Sequence, residues 1–203
     1  MHPDDVREDW AERSGEFSPE YYAHLGPNDV SETLADAFTH YLADDASILE
    51  LGCGSGRHLS HLHERGFENL HGIDINAESF DVMAEHFPRL HDTGTFHAGA
   101  LEDRLPEFDE GTFDAVYGVE TLQHVHPEDD WVFEEVVRVT DDLLATAENE
   151  GNNPTAGDQD VSYVNDDFPL YHRDWKRVFS DLGAAQLLAE STSRDTIRVF
   201  RVL

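Results

Sequence analysis

The chain has 203 residues, enough for one domain with a substantial core, and no break in composition divides it. Forty-four acids face 13 bases, a formal net charge of -31, and Lys176 is the one lysine; nucleic-acid binding needs cations to replace phosphate counterions, so the composition argues against it. No run of about 18 apolar residues occurs and the first residues are polar and acidic, which argues against a membrane span or a secretory leader and predicts a cytoplasmic protein.

The first 46 residues read as helices over Val6 to Arg13, Pro19 to His24 and Ser31 to Leu42, the last with Leu34, Phe38, Tyr41 and Leu42 on one stripe. They are expected to cap a site. From residue 47 onward strand and helix alternate, which predicts a parallel sheet with helices on both faces. Strands are expected near 47–52, 69–74, 94–98, 113–118 and 143–149, and helices near 56–65, 77–87, 129–139 and 172–182. The segment Gly151 to Asp158, with its glycines, asparagines and proline, reads as a turn-rich insertion after the fifth strand. At the end, Ala185 to Glu190 and Thr196 to Val202 flank the short polar turn Ser191-Thr192-Ser193-Arg194-Asp195, a spacing that predicts an antiparallel pair. Ligands of such sheets lie beyond the carboxyl ends of the strands, so the insertion and the N-terminal helices are the expected walls of the site.

The most specific segment is Ile48-Leu-Glu50-Leu-Gly52-Cys53-Gly54-Ser-Gly56-Arg57-His58-Leu59. An apolar strand runs into alternate glycines, which let the backbone pass close under a ligand, and a helix follows whose free N–H groups face the same crevice. A second strand, Leu70 to Ile75, completes a βαβ unit and carries Asp74 where an acid can take the hydroxyls of a ribose. A dinucleotide fingerprint, G-x-G-x-x-G, would place glycine where Arg57 stands. Glu50 at the mouth of the loop would repel a pyrophosphate and suits a ligand that brings an ammonium group. S-adenosylmethionine fits that outline, with an amino-acid end, an adenosine end and no phosphate.

These residues resemble the class I S-adenosylmethionine-dependent methyltransferases. Glu50 to Gly56 looks like that family's first motif, and Asp74 like its ribose acid. Gly99-Ala100-Leu101-Glu102-Asp103 is similar to the adenine segment, and Phe113 to Val125 to the fourth strand with its turn. The resemblance covers roughly residues 45 to 150. It implies a Rossmann-like three-layer α/β sandwich in one domain over residues 1–203, with a seven-stranded, mostly parallel sheet whose last strand is antiparallel. Residues 1–46 would form the helical cap, 47–150 the cofactor core, and 151–203 the acceptor-side loop, helix and C-terminal hairpin. S-adenosylmethionine would contact Glu50, Gly52, Cys53, Gly54, Gly56, Asp74, Ile75, Leu101, Glu102 and Val119. Many relatives carry Asp where this chain has Ala100, so the adenine amino group would pass to Glu102, with Asp103 the alternative. Asp114 would be structural. The reaction implied is methyl transfer to a small-molecule acceptor. The turn Val119-Glu120-Thr121-Leu122 lacks the signature of amino-directed DNA methyltransferases. Alternatives are a catalytically silent cofactor-binding subunit and a NAD-dependent oxidoreductase.

A base is needed only for a protonated acceptor. His124, Glu120 and His126 are the candidates, since they follow the fourth strand at the rim of the crevice. Tyr21, Tyr22, Tyr163, Tyr171 and His172 are candidates to touch the acceptor, and Glu148, Asn149 and Glu150 to line or cap the pocket. His58, His61 and His63 cluster in sequence, but without a paired Cys or an H-E-x-x-H arrangement no metal site is predicted. The acidic charge, spread along the whole chain, reads as adaptation to molar salt, with an acidic face for a basic partner as the rival.

Overall fold

A computed structural model describes residues 2–151, 161–164 and 168–203; the greater part of the turn-rich insertion expected over Gly151 to Asp158 lies outside them. The N-terminal segment supplies α1 (Pro3–Ala11), α2 (Pro19–Ala23) and α3 (Asp29–Tyr41). Each starts on a side-chain cap: His2 accepts from the Asp4 N–H, Ser18 from Tyr21 and Asn28 from Ser31. The capping sets these starts a few residues ahead of the apolar stripes for α1 and α3.

Strand and helix then alternate as β1 (Ile48–Leu51), α4 (Arg57–Glu64), β2 (Leu70–Asp74), α5 (Glu78–His86), α6 (Pro88–Thr93), β3 (Thr95–Ala98), α7 (Leu101–Arg104), β4 (Phe113–Val119), α8 (Val132–Val139) and β5 (Thr140–Glu148). The helix expected over 77–87 is α5, and the unexpected α6 follows at once as a separate helix, because Pro88 bars a helical conformation at Phe87, whose φ and ψ are -129 and 56. A small hairpin, β6 (Val161–Val164) with β7 (Phe168–Tyr171), stands apart from the main sheet in a stretch for which the sequence predicted no strand. Next come α9 (Trp175–Asp181), β8 (Ala184–Ser191) and β9 (Thr196–Val202). Asp174 caps α9 by accepting from Arg177 N–H, so that helix begins later than the expected 172.

The seven strands of the main sheet lie in the order β3-β2-β1-β4-β5-β9-β8. β1 to β5 pair in parallel, β9 runs antiparallel to β5, and β8 pairs antiparallel with β9. This is the mostly parallel sandwich, with one reversed strand near its end, that the alternation and the C-terminal turn predict. Side chains alternate along each strand between two cores. Ile48, Ala115, Tyr117, Ala145 and Val199 pack under α3 and α4 with Leu34, Phe38, Leu59 and Leu62. Leu49, Leu51, Val116, Leu144 and Phe200 pack under α8 and α9 with Phe133, Val136, Trp175 and Phe179.

At the amino edge of the sheet, Asp114 locks β1 to β4: its Oδ2 accepts from the Ser47 N–H and the Ser47 hydroxyl, both at 2.7 Å. The carboxyl ends Leu51, Asp74, Ala98, Val119 and Glu148 gather at the opposite edge. Among the described residues no helix is long and apolar enough to cross a membrane. Asp114→Ala leaves two donors of Ser47 without their acceptor and is expected to lower stability by about 1–3 kcal/mol in urea unfolding; an unchanged midpoint would contradict the lock.

Candidate active site

A cavity of about 270 Å³ opens at the carboxyl edge of the sheet, over β1, β2 and β4. Its floor is the glycine loop. Gly52 has φ +64, and a Cβ there would stand 2.3 Å from Thr121 Oγ1, so this glycine lets the loop press against the turn after β4. Gly54 has φ +51 and nothing within 4 Å of where a Cβ would project. A side chain there would fill cavity space. Asp74 ties the loop to β2: Oδ2 accepts from Gly54 N–H at 2.7 Å, while Oδ1 accepts from Asn76 N–H at 2.8 Å and Ser79 Oγ at 3.1 Å. Burial raises its proton affinity, and those donors work against the rise.

Glu50 is the least comfortable group in this wall. It is 1% exposed, and its Oε2 has no hydrogen-bond partner. Strand register sets it beside Tyr117, whose buried hydroxyl favours the charged form of this carboxyl. Burial pushes the Glu50 carboxyl well up, with the negative Asp74 adding to the rise. An ammonium group delivered to Oε2 would relieve that strain, since a buried carboxylate is stable only when paired. Cys53 is packed beneath Gly72, where a Cβ would lie 2.5 Å from its Sγ. Burial pushes this thiol well up, so it is a packing residue and a poor nucleophile.

Of the residues assigned to the cofactor from sequence, Glu50, Gly52, Cys53, Gly54, Asp74, Ile75, Leu101, Glu102 and Val119 line the cavity. Gly56 does not. It is the N-cap of α4 at φ 86, and a Cβ there would meet Leu90 at 2.8 Å and Met83 at 2.9 Å, so its role is helix packing. Glu102 is on the wall and Asp103 is not; one Glu102 oxygen already accepts from Arg7 at 3.2 Å.

Among the base candidates, Glu120 and His124 line the cavity and His126 does not. His126 caps the turn at Pro127–Asp129 and rests edge-on against Tyr171. His124 Nδ1 lies 3.1 Å from the Pro169 carbonyl, which only accepts, so Nδ1 carries the hydrogen and Nε2 the lone pair. Burial holds this imidazole down, at about 4. Glu120 has φ 50, a strained conformation for a residue with a side chain, and its Oε1 meets Arg194 at 3.3 Å.

The turn carrying these residues hangs from Glu148, which is fully buried. Its Oε1 accepts from the N–H groups of Thr121 and Leu122 at 3.2 and 2.9 Å, and its Oε2 from Gln123 at 3.2 Å. Gln123 Oε1 in turn accepts from Asn149 N–H at 2.9 Å. Burial pushes the Glu148 carboxyl up, to about 8, against those three donors. Glu148 therefore shapes the site without lining it. Glu150 is paired with Arg198 at 2.7 and 2.8 Å, and neither it nor Asn149 reaches the cavity.

The lid comes from the N-terminal segment, which contributes Val6, Arg7, Trp10, Arg13, Phe17 and Tyr22. Arg7 bridges α1 to Glu102 and, at 2.8 Å, to Asp129. Trp10 packs its ring 4.7 Å from both His124 and Phe168, and the Arg13 guanidinium lies 4.5 Å over Phe168. The β6–β7 hairpin thus clamps the lid from outside. Of the five residues proposed to touch the acceptor, Tyr22 lines the cavity, whereas Tyr21, Tyr163, Tyr171 and His172 do not. Sequence reasoning passed over Arg7, Trp10, Arg13 and Asp195. The first three were hidden because helix periodicity does not reveal which partner a helix meets. Asp195 had a usable signal: the residue before a reversed strand must overhang the carboxyl edge of its parallel neighbours.

His58, also on the wall, joins Ser31 Oγ through Nδ1 at 2.9 Å, and burial next to Arg57 holds it down, at about 3. The His58, His61 and His63 trio does not converge. Among the described residues, ligand atoms of Glu20, His24 and His86 come within 4.8 Å of one another on the surface between α2 and α5.

Residues 48–142 match the family model described as a methyltransferase domain. The O-methyltransferase cnsE of Penicillium expansum is 25% identical over 137 residues, a match that covers 61% of this chain and 50% of that protein. The chain therefore spans about half the length of this curated relative. Geranyl diphosphate C-methyltransferase from Streptomyces coelicolor A3(2), in complex with Mg2+, geranyl diphosphate and S-adenosyl-L-homocysteine, has the same fold with a TM-score of 0.72 at 15% identity, covering 99% of this chain and 98% of that one. Magnesium protoporphyrin IX methyltransferase from Synechocystis PCC 6803 with bound S-adenosylmethionine gives 0.72 at 15% identity, covering 99% and 97%.

Two histidines held neutral in the folded chain carry a pH signature. On unfolding each returns to about 6.5 and takes up a proton, so the stability they lend is complete above that pH and is lost as pH falls through it towards 4 and 3. Between about pH 6.5 and 4 the melting temperature of His124→Gln is expected to rise relative to that of the wild type as the pH falls; a difference that stays constant over this range would contradict the burial of a neutral imidazole.

Proposed function

We propose that the protein is an S-adenosylmethionine-dependent methyltransferase that moves a methyl group to a small-molecule acceptor. One observation carries the cofactor half of this reading: a buried carboxylate oxygen of Glu50 without a donor, facing a cavity whose floor is a glycine loop and whose side is Asp74. Glu50 would hold the cofactor ammonium and Gly52 with Gly54 would let the methionyl part lie on the backbone. Asp74 would accept from the ribose hydroxyls with lone pairs not used by Gly54, Asn76 and Ser79. Leu101 would meet the adenine ring and Glu102 its amino group, alongside Arg7. The match of residues 48–142 to a methyltransferase domain, and the fold shared with methyltransferases solved with S-adenosylmethionine or its demethylated product, support the same choice.

When bound, that cofactor supplies a methyl group already activated on a sulfonium, so the protein must mainly align an acceptor and exclude water. The N-terminal lid serves both needs. A cavity closed over by α1 and α2 favours a compact acceptor over a polymer, and the streptomycete enzyme of the same fold was solved with one such molecule, geranyl diphosphate.

We read the charge of -31 as adaptation to molar salt, in the cytoplasm. Salt near 1 M shortens the screening length to about 3 Å and relieves repulsion that in dilute buffer opposes a compact chain.

Calorimetry is expected to show binding of S-adenosylmethionine, and binding of NAD alone would overturn the cofactor assignment. Asp74→Asn, which keeps an acceptor for the glycine loop, is expected to weaken cofactor binding by about 1.5–3 kcal/mol, and unchanged affinity would remove Asp74 from the ribose contact. The melting temperature is expected to rise steadily from low to multimolar KCl, and a flat or falling trend would sink the salt adaptation.

A further inference from the structure

The turn between β8 and β9 reaches into the cavity. Thr196 pairs with Glu148, the last residue of β5, so Asp195 overhangs the edge where the parallel strands end. Its backbone is fixed: Asp195 N–H donates to Thr192 Oγ1 at 2.9 Å, and its carbonyl accepts from Thr192 N–H at 2.8 Å. The side chain lines the cavity and the residue is 8% exposed. Its Oδ1 is buried with no hydrogen-bond donor among the described residues. The nearest acid is Glu120, whose strained backbone turns it towards the same space. A negative charge beside a desolvated carboxyl raises that carboxyl's affinity for a proton.

We propose that Asp195, paired with Glu120, takes the proton from the methyl acceptor. The proposal rests on the methyltransferase reading and deepens it by naming the acceptor class: a group that arrives protonated, a hydroxyl or an amine, rather than a carboxylate or a thiolate. The acceptor's O–H or N–H proton passes to the free Asp195 oxygen. The lone pair so released forms the bond to the methyl carbon, and the carbon–sulfur bonding pair stays with the cofactor's sulfur. The charge of the sulfonium is thereby discharged, and the proton leaves later to solvent through the Glu120 side, which is partly exposed.

The surroundings suit the task. Burial first, and then the charge of Glu120, push the Asp195 carboxyl up to about 7, where a base is both free and strong enough near neutral pH. Arg194 on the same turn pairs with Glu120 and works against that rise. The charge of Glu120 also acts on Tyr22 from α2, Arg57 from α4 and Glu148 from β5. His124, beyond β4, feels Arg194. His124 also presents a lone pair on the wall, but at about 4 it is a weak base.

The test has two readings, one of them independent of turnover. Carbon-13 resonances of aspartate carboxyls in the whole protein should include one that titrates near pH 7, vanishes in Asp195→Asn and moves towards the ordinary aspartate range in Glu120→Gln. An Asp195 carboxyl that titrates in the ordinary range, or ignores Glu120, overturns the proposal. In the second, methyl-labelled S-adenosylmethionine is incubated with a cell metabolite extract. Asp195→Asn should bind that cofactor with wild-type affinity in calorimetry, keep its melting temperature, and transfer label at least about 100-fold more slowly. Transfer at the wild-type rate overturns the proposal. A wild-type protein that does not bind S-adenosylmethionine at all overturns the methyltransferase reading instead, and the acceptor assignment with it.

Discussion

A carboxyl group inside a sheet must find a cation or hydrogen-bond donors for its charge or keep its proton, and that constraint governs this molecule from β1 outward. Glu50 lies between Gly72 and Tyr117 in the register, shut in by α3 and α4, with no cation of the chain bonded to its Oε2. A purely structural residue in that place would be apolar, as Ile48 and Leu49 are. The glycine loop, the Asp74 tie and the helix that follows all keep open the space in front of this one oxygen. The floor of the site is thus built around a group that the fold alone leaves unsatisfied.

Carboxylates do the opposite work elsewhere. Asp114, Asp74 and Glu148 each collect N–H or O–H donors from a neighbouring segment: Asp114 at the amino edge, Asp74 under the glycine loop, Glu148 beneath the turn after β4. The few cations have matching tasks. Arg173, nearly buried, donates to the carbonyls of Tyr171 and Val125 and to Asp130, joining the β6–β7 hairpin to the turn that holds His124. Arg7 and Arg13 fasten the lid. The sheet supplies position, and a handful of charged side chains convert its edge into a walled cavity.

Much of this was legible in the chain itself because the signals are local. The βαβ unit follows from apolar runs around alternate glycines, and Glu50 and Asp74 can be located by their distance from that loop. The reversed β9 follows from a five-residue polar turn. What escaped depends on contacts far apart in sequence. Gly56 looks like its two companions, yet α6, created by Pro88, brings Leu90 against it and turns it into a packing glycine. The β6–β7 hairpin is two four-residue strands with little periodicity to detect. Asp195 could be placed at the carboxyl edge as the residue before the reversed strand, but the pairing of Thr196 with Glu148 is what sets it over the cavity. Asp114 and Glu148 carry no periodic signature at all; the resemblance marked Asp114, and only the geometry explains why it bonds to Ser47.

The lid is fastened differently from the body. α1 meets the rest of the chain through Arg7 with Glu102 and Asp129, through the Trp10 indole and through the buried Pro3 and Val6, and Arg13 beyond it lies over Phe168, whereas the two cores beneath are hydrocarbon. Dissolved ions act on these two kinds of bond in opposite directions, screening the partly exposed ion pairs while favouring apolar burial. The latch at Arg7 is thus the part of this wall most open to the ionic strength of the medium, while the hydrocarbon layers under the sheet are out of reach of screening.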